Sequence, residues 1–173
     1  QTAVAPRPIA LASTIDKNGN VNLSPFSFFN LFSSNPPILI FSPARRVRDN
    51  STKDTLHNVL EVPEVVIGNV NFDMVQQVSL SSTEYETGVD EFIKSGLTKK
   101  PAELVKPPLI AESPVNFECK VIEVKPLGNE GGAGNLVICE VLKIHIREEF
   151  LNDEGNLDQK KLDLVSRLGG NWY

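Results

Sequence analysis

Sulfur and imidazole are scarce in this chain: 173 residues carry two cysteines, two histidines and one methionine. Cys119 and Cys139 each sit inside a strand-like apolar run. They read as small buried thiols rather than a disulfide framework. His57 and His145 are far apart in sequence, so no metal-ligand spacing exists and no metal is expected. No apolar run approaches the roughly 18 residues a membrane helix needs. The opening "QTAVAPRPIA" lacks the charged start and long apolar stretch of a signal peptide, and Gln1 in place of Met reads as a shortened start. Positive charge is in deficit, with a net charge of −5, which argues against a nucleic-acid partner. Nothing resembles a nucleophile elbow or another local hydrolase signature. These absences leave a cytoplasmic protein with neither a membrane nor a nucleic-acid partner as the expectation.

What is present fits one domain spanning residues 1–173, a size at which about two-thirds of the unfolded surface is buried. "PIALASTID" predicts a strand that is mostly apolar on both faces. Asn18-Gly19 then marks a hairpin turn. The return strand "VNLSPF" contains Pro25, which predicts a bulge or departure from the sheet there. "PPILIFS" reads as a buried strand. "STKDTLHNVLEV" changes to a helical period, with Leu56, Val59 and Leu60 on one face and Ser51/Asp54 resembling a capping box. "PEVVIGNVN" is a further strand, and "DMVQQVSLSS" a short helix. Thr83 to Pro114 is irregular, with one helical turn at "DEFIKSG".

Two long strands follow, and both change phase. Val115, Phe117, Cys119 and Val121 share a face before Ile122 and Val124 take over. Val137, Cys139 and Val141 share a face before Leu142, Ile144 and Ile146 do. Matching slips in paired strands predict bulges or a sharp bend. "GNEGGAGN" between the strands lacks the G-x-G-x-x-G order and precedes a strand, so it reads as a flexible hairpin loop. The end, "LDLVSRLGGNWY", reads as a short turn or helix stopping at Gly169-Gly170. Regular crossover helices are missing, which favours an antiparallel barrel over a doubly wound sheet.

Two constellations carry candidate chemistry. "SPFSFFNLFSSNPPILIF" packs five of nine phenylalanines among serines and asparagines. Such a wall suits a flat aromatic ligand with a polar edge as well as a core strand. "PARRVRDNSTKDT" sets Arg45, Arg46, Arg48 and Lys53 beside hydroxyls and a helix start, a combination suited to phosphate. A solvated charged loop is the plain alternative. The strand "PPILIFS" joins the two, so one ligand with a ring at one end and a phosphate at the other would use both; FMN has that shape.

"RPIALASTIDKNGNVNLSPFSFFN", "KDTLHNV", "GVDEFIKSGLT", "KPPLIAESPVNFECKV" and "SRLGGNWY", in that order, resemble the flavin reductase-like, FMN-binding split-barrel family from about Arg7 to Tyr173. The resemblance implies a mainly β fold: a split antiparallel β-barrel of Greek-key type with a few short peripheral α-helices. It also implies a homodimer holding FMN near the subunit interface. Carried over by position, Ser13 and Thr14 end the first strand at the flavin. Ser24, Phe26, Ser27, Phe28 and Asn30 line the ring. Ser42, Arg48, Lys53 and Thr55 meet the ribityl chain and phosphate, with Arg45 and Arg46 as alternatives to Arg48. Arg167 and Gly169-Gly170 approach from one subunit or the other. No catalytic side chain is assigned, because flavin carries the redox chemistry itself. The implied activity is hydride or electron transfer between NAD(P)H and flavin or a downstream acceptor. An electron carrier served by a redox partner protein, or a non-enzymatic flavin-binding module, is the alternative.

Overall fold

The structure is a computed structural model that describes residues 2–170 and 172–173; Gln1 and Asn171 lie outside the described residues. Strands β1 (Arg7–Pro8), β2 (Ala10–Ile15), β3 (Val21–Phe26), β4 (Phe29–Ser34) and β5 (Pro37–Phe41) precede helix α1 (Asp54–Glu61). β6 (Glu64–Asn69), α2 (Val75–Ser81), α3 (Glu91–Ser95), β7 (Lys99–Lys100) and β8 (Leu109–Ile110) follow. The chain ends with β9 (Val115–Pro126), β10 (Asn135–Ile146), α4 (Gln159–Leu162) and β11 (Ser166–Arg167). Seven strands form one antiparallel sheet in the order β3-β2-β6-β9-β10-β5-β4.

The sheet curls on itself. Phe26 near one edge and Phe41 near the other meet with ring centroids 5.4 Å apart. Both belong to a core that includes Ala10, Ala12, Val65, Ile67, Cys119 and Cys139, and the inner face of α1 caps it. A second core covers the outer side of β2 and β6, where Leu11, Leu23 and Val66 pack against Met74, Val78 and Phe92. Alternate residues of β2 and β6 therefore point into different cores, which is why neither strand carries the polar face of a half-exposed strand.

The phase slips in the long strands are bulges. Between paired β9 and β10, Glu123↔Ile138 is followed by Val121↔Cys139, leaving Ile122 extra. Val141↔Cys119 is followed by Lys143↔Glu118, leaving Leu142 extra. One bulge on each strand bends the ladder. Past Leu142 the apolar row of β10 turns outward, while Val124 of β9 still packs against the first core. The cysteines are fully buried and unpaired with each other, and burial pushes the Cys119 thiol up to about 12.

Several local expectations need correction. Pro25 stays in register opposite Leu11 without a bulge, because β3 is an edge strand where a missing N–H donor is tolerated. Ser51 is no helix cap; Lys53 holds that position, and the Ser51 hydroxyl bonds Asp49 instead. Leu60 faces solvent while Thr55 and Asn58 are buried. The last helix lies upstream at Gln159–Leu162, and Ser166–Arg167 is a strand paired with β1, joining the two ends of the chain. The glycine loop at residues 128–134 is pinned: Gly132 N–H donates to Arg45 O (3.0 Å), Arg45 N–H to Ala133 O (2.9 Å) and Asn50 Nδ2 to Asn129 O (2.9 Å). A Cβ on Gly131 would lie 3.0 Å from Val47 Cα, so glycine is what lets the two backbones meet.

One buried acid secures the bend. Glu118 is fully buried on β9 and accepts from the backbone N–H groups of Glu103, Leu104 and Val105, and it bonds His145 Nε2 at 2.5 Å. Burial pushes its carboxyl up, but these partners outweigh burial and hold it below the ordinary value. No described helix is long and apolar enough to cross a membrane.

Candidate functional site

Two clefts meet at Ser82 along the free edge of β3. The first is narrow, about 30 Å³, and lined by Ser24, Arg46, Lys53, Thr55 and the segment Ser81–Tyr85. The second is wider, about 200 Å³, and lined by Ile9, Pro25, Ser27, Val78, Arg167 and Tyr173. One end of this groove is polar, with Arg46 and Lys53 set among Asp54, Glu84 and Glu91; the other offers proline, aliphatic and aromatic surface beside one guanidinium.

Edge-strand geometry builds the floor. Ser24 and Ser27 flank Pro25 where β3 ends, and every residue of this stretch is only half-covered except Phe26. Arg7 Nε donates to Ser27 Oγ at 3.4 Å, and Arg167 stacks over the Tyr173 ring at 4.5 Å. The pairing of β1 with β11 carries Arg167 to this end of the groove.

At the polar end, Lys53 opens helix α1, whose N-terminus receives no side-chain cap. Arg46 donates to Ser51 Oγ (3.1 Å) and to Thr52 O, which fixes its guanidinium beside Lys53. No carboxylate among the described residues comes within ion-pair distance of the Lys53 ammonium. Burial, then the neighbouring Arg46 charge, holds its pKa below the ordinary lysine value, against a smaller opposing pull from Glu84 and Asp54. An ammonium that is half-buried, near a second cation and without an anion of its own is arranged to receive one. Glu91, on the same wall, is already committed to Leu23 N–H (3.0 Å) and Asn22 Nδ2 (2.8 Å), and burial raises its pKa.

The residues expected from sequence divide into three groups. Ser24, Ser27, Lys53, Thr55 and Arg167 line the groove, with Thr55 Oγ1 donating to Asn22 Oδ1 at 2.7 Å. Ser13, Thr14, Phe26 and Ser42 are buried away from it. Thr14 Oγ1 accepts from Asn58 Nδ2 (3.1 Å), Phe26 packs on Phe41, and Ser42 Oγ lies under Gly134. Ser13 and Thr14 point into opposite cores, since successive strand residues face opposite sides. Phe28 and Asn30 face outward, and Asn30 Oδ1 accepts from Leu31 N–H (2.8 Å). Arg48 is 75% exposed and paired with Asp49 and Glu84; Arg46 takes the place beside Lys53. Ser82 and Glu84 were missed by sequence reasoning. Their signal was the hydroxyl- and acid-rich run "SSTEYETG" directly after an amphipathic helix.

A larger cleft, about 480 Å³, lies across Asn22 and Asp54 from the groove. It is lined mainly by polar and acidic side chains such as Asp16, His57 and Glu61, with no aromatic wall.

The model of the flavin reductase like domain matches residues 3–161. The chain belongs to the flavin reductase-like family. An uncharacterized protein of Aquifex aeolicus is 37% identical over 170 residues, covering 98% of this chain and 84% of that protein. Nitrilotriacetate monooxygenase component B from Bacillus cereus is similar in structure, with a TM-score of 0.89 and 28% identity, over 97% of this chain and 83% of that one. A flavin reductase-type protein with a split barrel domain from Shewanella frigidimarina superposes with a TM-score of 0.80 and 25% identity, over 95% and 80%. The fold of this family member is thus a split barrel: mainly β, antiparallel, with short peripheral helices.

Proposed function

We propose that this protein binds FMN in the groove along β3 and acts as an oxidoreductase of the flavin reductase type. It would take hydride or electrons from NAD(P)H and deliver them to flavin or a downstream acceptor. Family membership supports a flavin; the unpartnered Lys53 ammonium supports one that carries a phosphate, and it is the observation on which the reading rests.

The residues divide the work by position. Lys53, Arg46 and the open N-terminus of α1 hold the phosphate, with the Thr55 hydroxyl oriented by Asn22 beside them. Ser24 and Ser82, midway along the groove, offer hydroxyls to the ribityl chain. Pro25, Ile9 and Val78 give the ring apolar contact, and Ser27 and Arg167 give its polar edge donors. When bound, the flavin supplies the redox chemistry by accepting hydride on its own ring. The chain's contribution is to bind, orient and polarise.

We also propose a homodimer. Leu142, Ile144 and Ile146 form an apolar row along β10, 39–53% exposed in one chain. A row of this kind on a paired sheet surface marks an association face.

Purified protein supplied with FMN and NADH or NADPH tests the reading. Steady pyridine nucleotide oxidation is the expected result. Bound FMN reduced only by another protein would make it a carrier, and FMN that no reductant turns over would make it a binding module. Failure to bind FMN at all would overturn the proposal.

A further inference from the structure

We propose that Glu91 is a positioning residue: it fixes the direction of a hydrogen-bond chain, Glu91–Asn22–Thr55, that keeps the Thr55 hydroxyl from donating to a phosphate and so restrains the groove's hold on FMN. This rests on the reading of the cleft around Lys53 as the phosphate end. Glu91, Asn22 and Thr55 all line that cleft. Glu91 opens α3 and is buried against the free edge of β3. As a carboxylate it has only lone pairs to offer. Leu23 N–H donates to one oxygen at 3.0 Å, and Asn22 Nδ2 donates to the other at 2.8 Å. The second bond sets the Asn22 amide: its NH2 must face the carboxylate, so its Oδ1 faces Thr55. An amide oxygen only accepts. The Thr55 hydroxyl therefore donates to it, at 2.7 Å, and its single hydrogen is spent there.

What Thr55 can still offer the cleft is lone pairs, and a fully ionised phosphate has no hydrogen to give them. Burial raises the Glu91 pKa, with a smaller push from Asp54 and against the Leu23 and Asn22 hydrogen bonds. The fold thus carries a buried charge whose two acceptors set the direction of the chain. A neutral amide in the same place reverses that direction. In Glu91→Gln the side-chain oxygen must still accept from Leu23 N–H, so the NH2 faces Asn22. Asn22 then turns its oxygen to that NH2 and its own NH2 to Thr55. The Thr55 hydroxyl now accepts, and its hydrogen is free for the phosphate. Asn22→Leu reaches the same end by another route. It takes the acceptor away from Thr55 and leaves the Glu91 charge where it is.

The test is a fluorescence titration of the full chain with FMN and riboflavin at about pH 8, where a phosphate monoester with a second pKa of about 6 is fully ionised. Glu91→Gln and Asn22→Leu should each raise the preference for FMN over riboflavin by about tenfold, the size of one charge-assisted hydrogen bond. Loss of a negative charge would by itself tighten FMN in Glu91→Gln, so each variant is also combined with Thr55→Val. The hydroxyl should matter more once its hydrogen is free: Thr55→Val should cost FMN about tenfold more in either variant than in wild type. An equal cost in all three backgrounds would overturn the chain. So would a preference for FMN that neither variant raises. If urea denaturation shows Glu91→Gln unfolded, Asn22→Leu decides alone. Wild-type protein that binds FMN no more tightly than riboflavin would instead overturn the reading of the phosphate end, whatever the variants do.

Discussion

Replacing Lys53 by methionine keeps most of the side-chain length and removes the charge. In the structure no carboxylate among the described residues forms an ion pair with the ammonium, and burial with the adjacent Arg46 depresses its pKa against a smaller pull from Glu84 and Asp54. The folded chain therefore binds this proton less readily than the unfolded chain does. Stability then rises with pH between the lowered folded value and the ordinary lysine value of 10.5, and at neutral pH the charge is a cost to the fold. Lys53→Met should accordingly leave the ligand-free protein as stable as wild type, or slightly more so, in urea denaturation near pH 7. The FMN complex should respond oppositely. A charge-assisted hydrogen bond contributes about 1.5–3 kcal/mol, which corresponds to roughly 10- to 100-fold in the dissociation constant. Riboflavin, which lacks the phosphate, should bind both proteins alike. Flavin fluorescence titrations give the two affinities, and the FMN-to-riboflavin ratio is the decisive quantity. An equal loss for both ligands, or a variant whose fold is weakened, would refute the assignment of Lys53 as a residue waiting for an anion.

Gly131→Ala places a Cβ 3.0 Å from Val47 Cα and 3.2 Å from Arg46 O, both backbone atoms that cannot swing aside. It should cost about 1–3 kcal/mol of unfolding free energy and weaken FMN more than riboflavin, because the displaced segment carries Arg46. Ile144→Glu should convert a dimer to a monomer in sedimentation experiments; a wild-type mass that is monomeric at every concentration would count against the association face.

Local patterns in the sequence were informative where the physics is local. The phase change at Ile122 and Leu142 was visible because strand side chains alternate with period two, and those two residues are the extra ones in the ladder. The Asn18-Gly19 turn was visible for a similar reason, since Gly19 has a φ of +91° that few other residues adopt. The phenylalanine-rich stretch was legible as a set but not residue by residue. Phe26 and Phe41 face the core, Phe29 packs against it, and Phe28 and Phe32 point outward. That partition depends on the turn between β3 and β4, which the apolar pattern does not encode. That Arg46 rather than Arg48 lines the groove beside Lys53 was equally out of reach. Adjacent arginines in a loop are separated only by backbone direction, and here the distant glycine loop fixes that direction through Arg45 and Ala133. The pairing of β1 with β11, which brings Arg167 to the groove, joins residues from the two ends of the chain. Ser13 and Thr14 lie on a strand buried on both faces, where Thr14 Oγ1 accepts from Asn58 and Ser13 Oγ has no hydrogen-bond partner among the described residues.

The most direct measurement is a crystal structure of the protein with FMN. The account predicts the phosphate within hydrogen-bonding distance of Lys53 Nζ, the ribityl chain passing Ser24 and Ser82, and the ring between Pro25 and Arg167. FMN bound elsewhere with this groove closed on itself, or bound here with its phosphate turned away from Lys53, would contradict it.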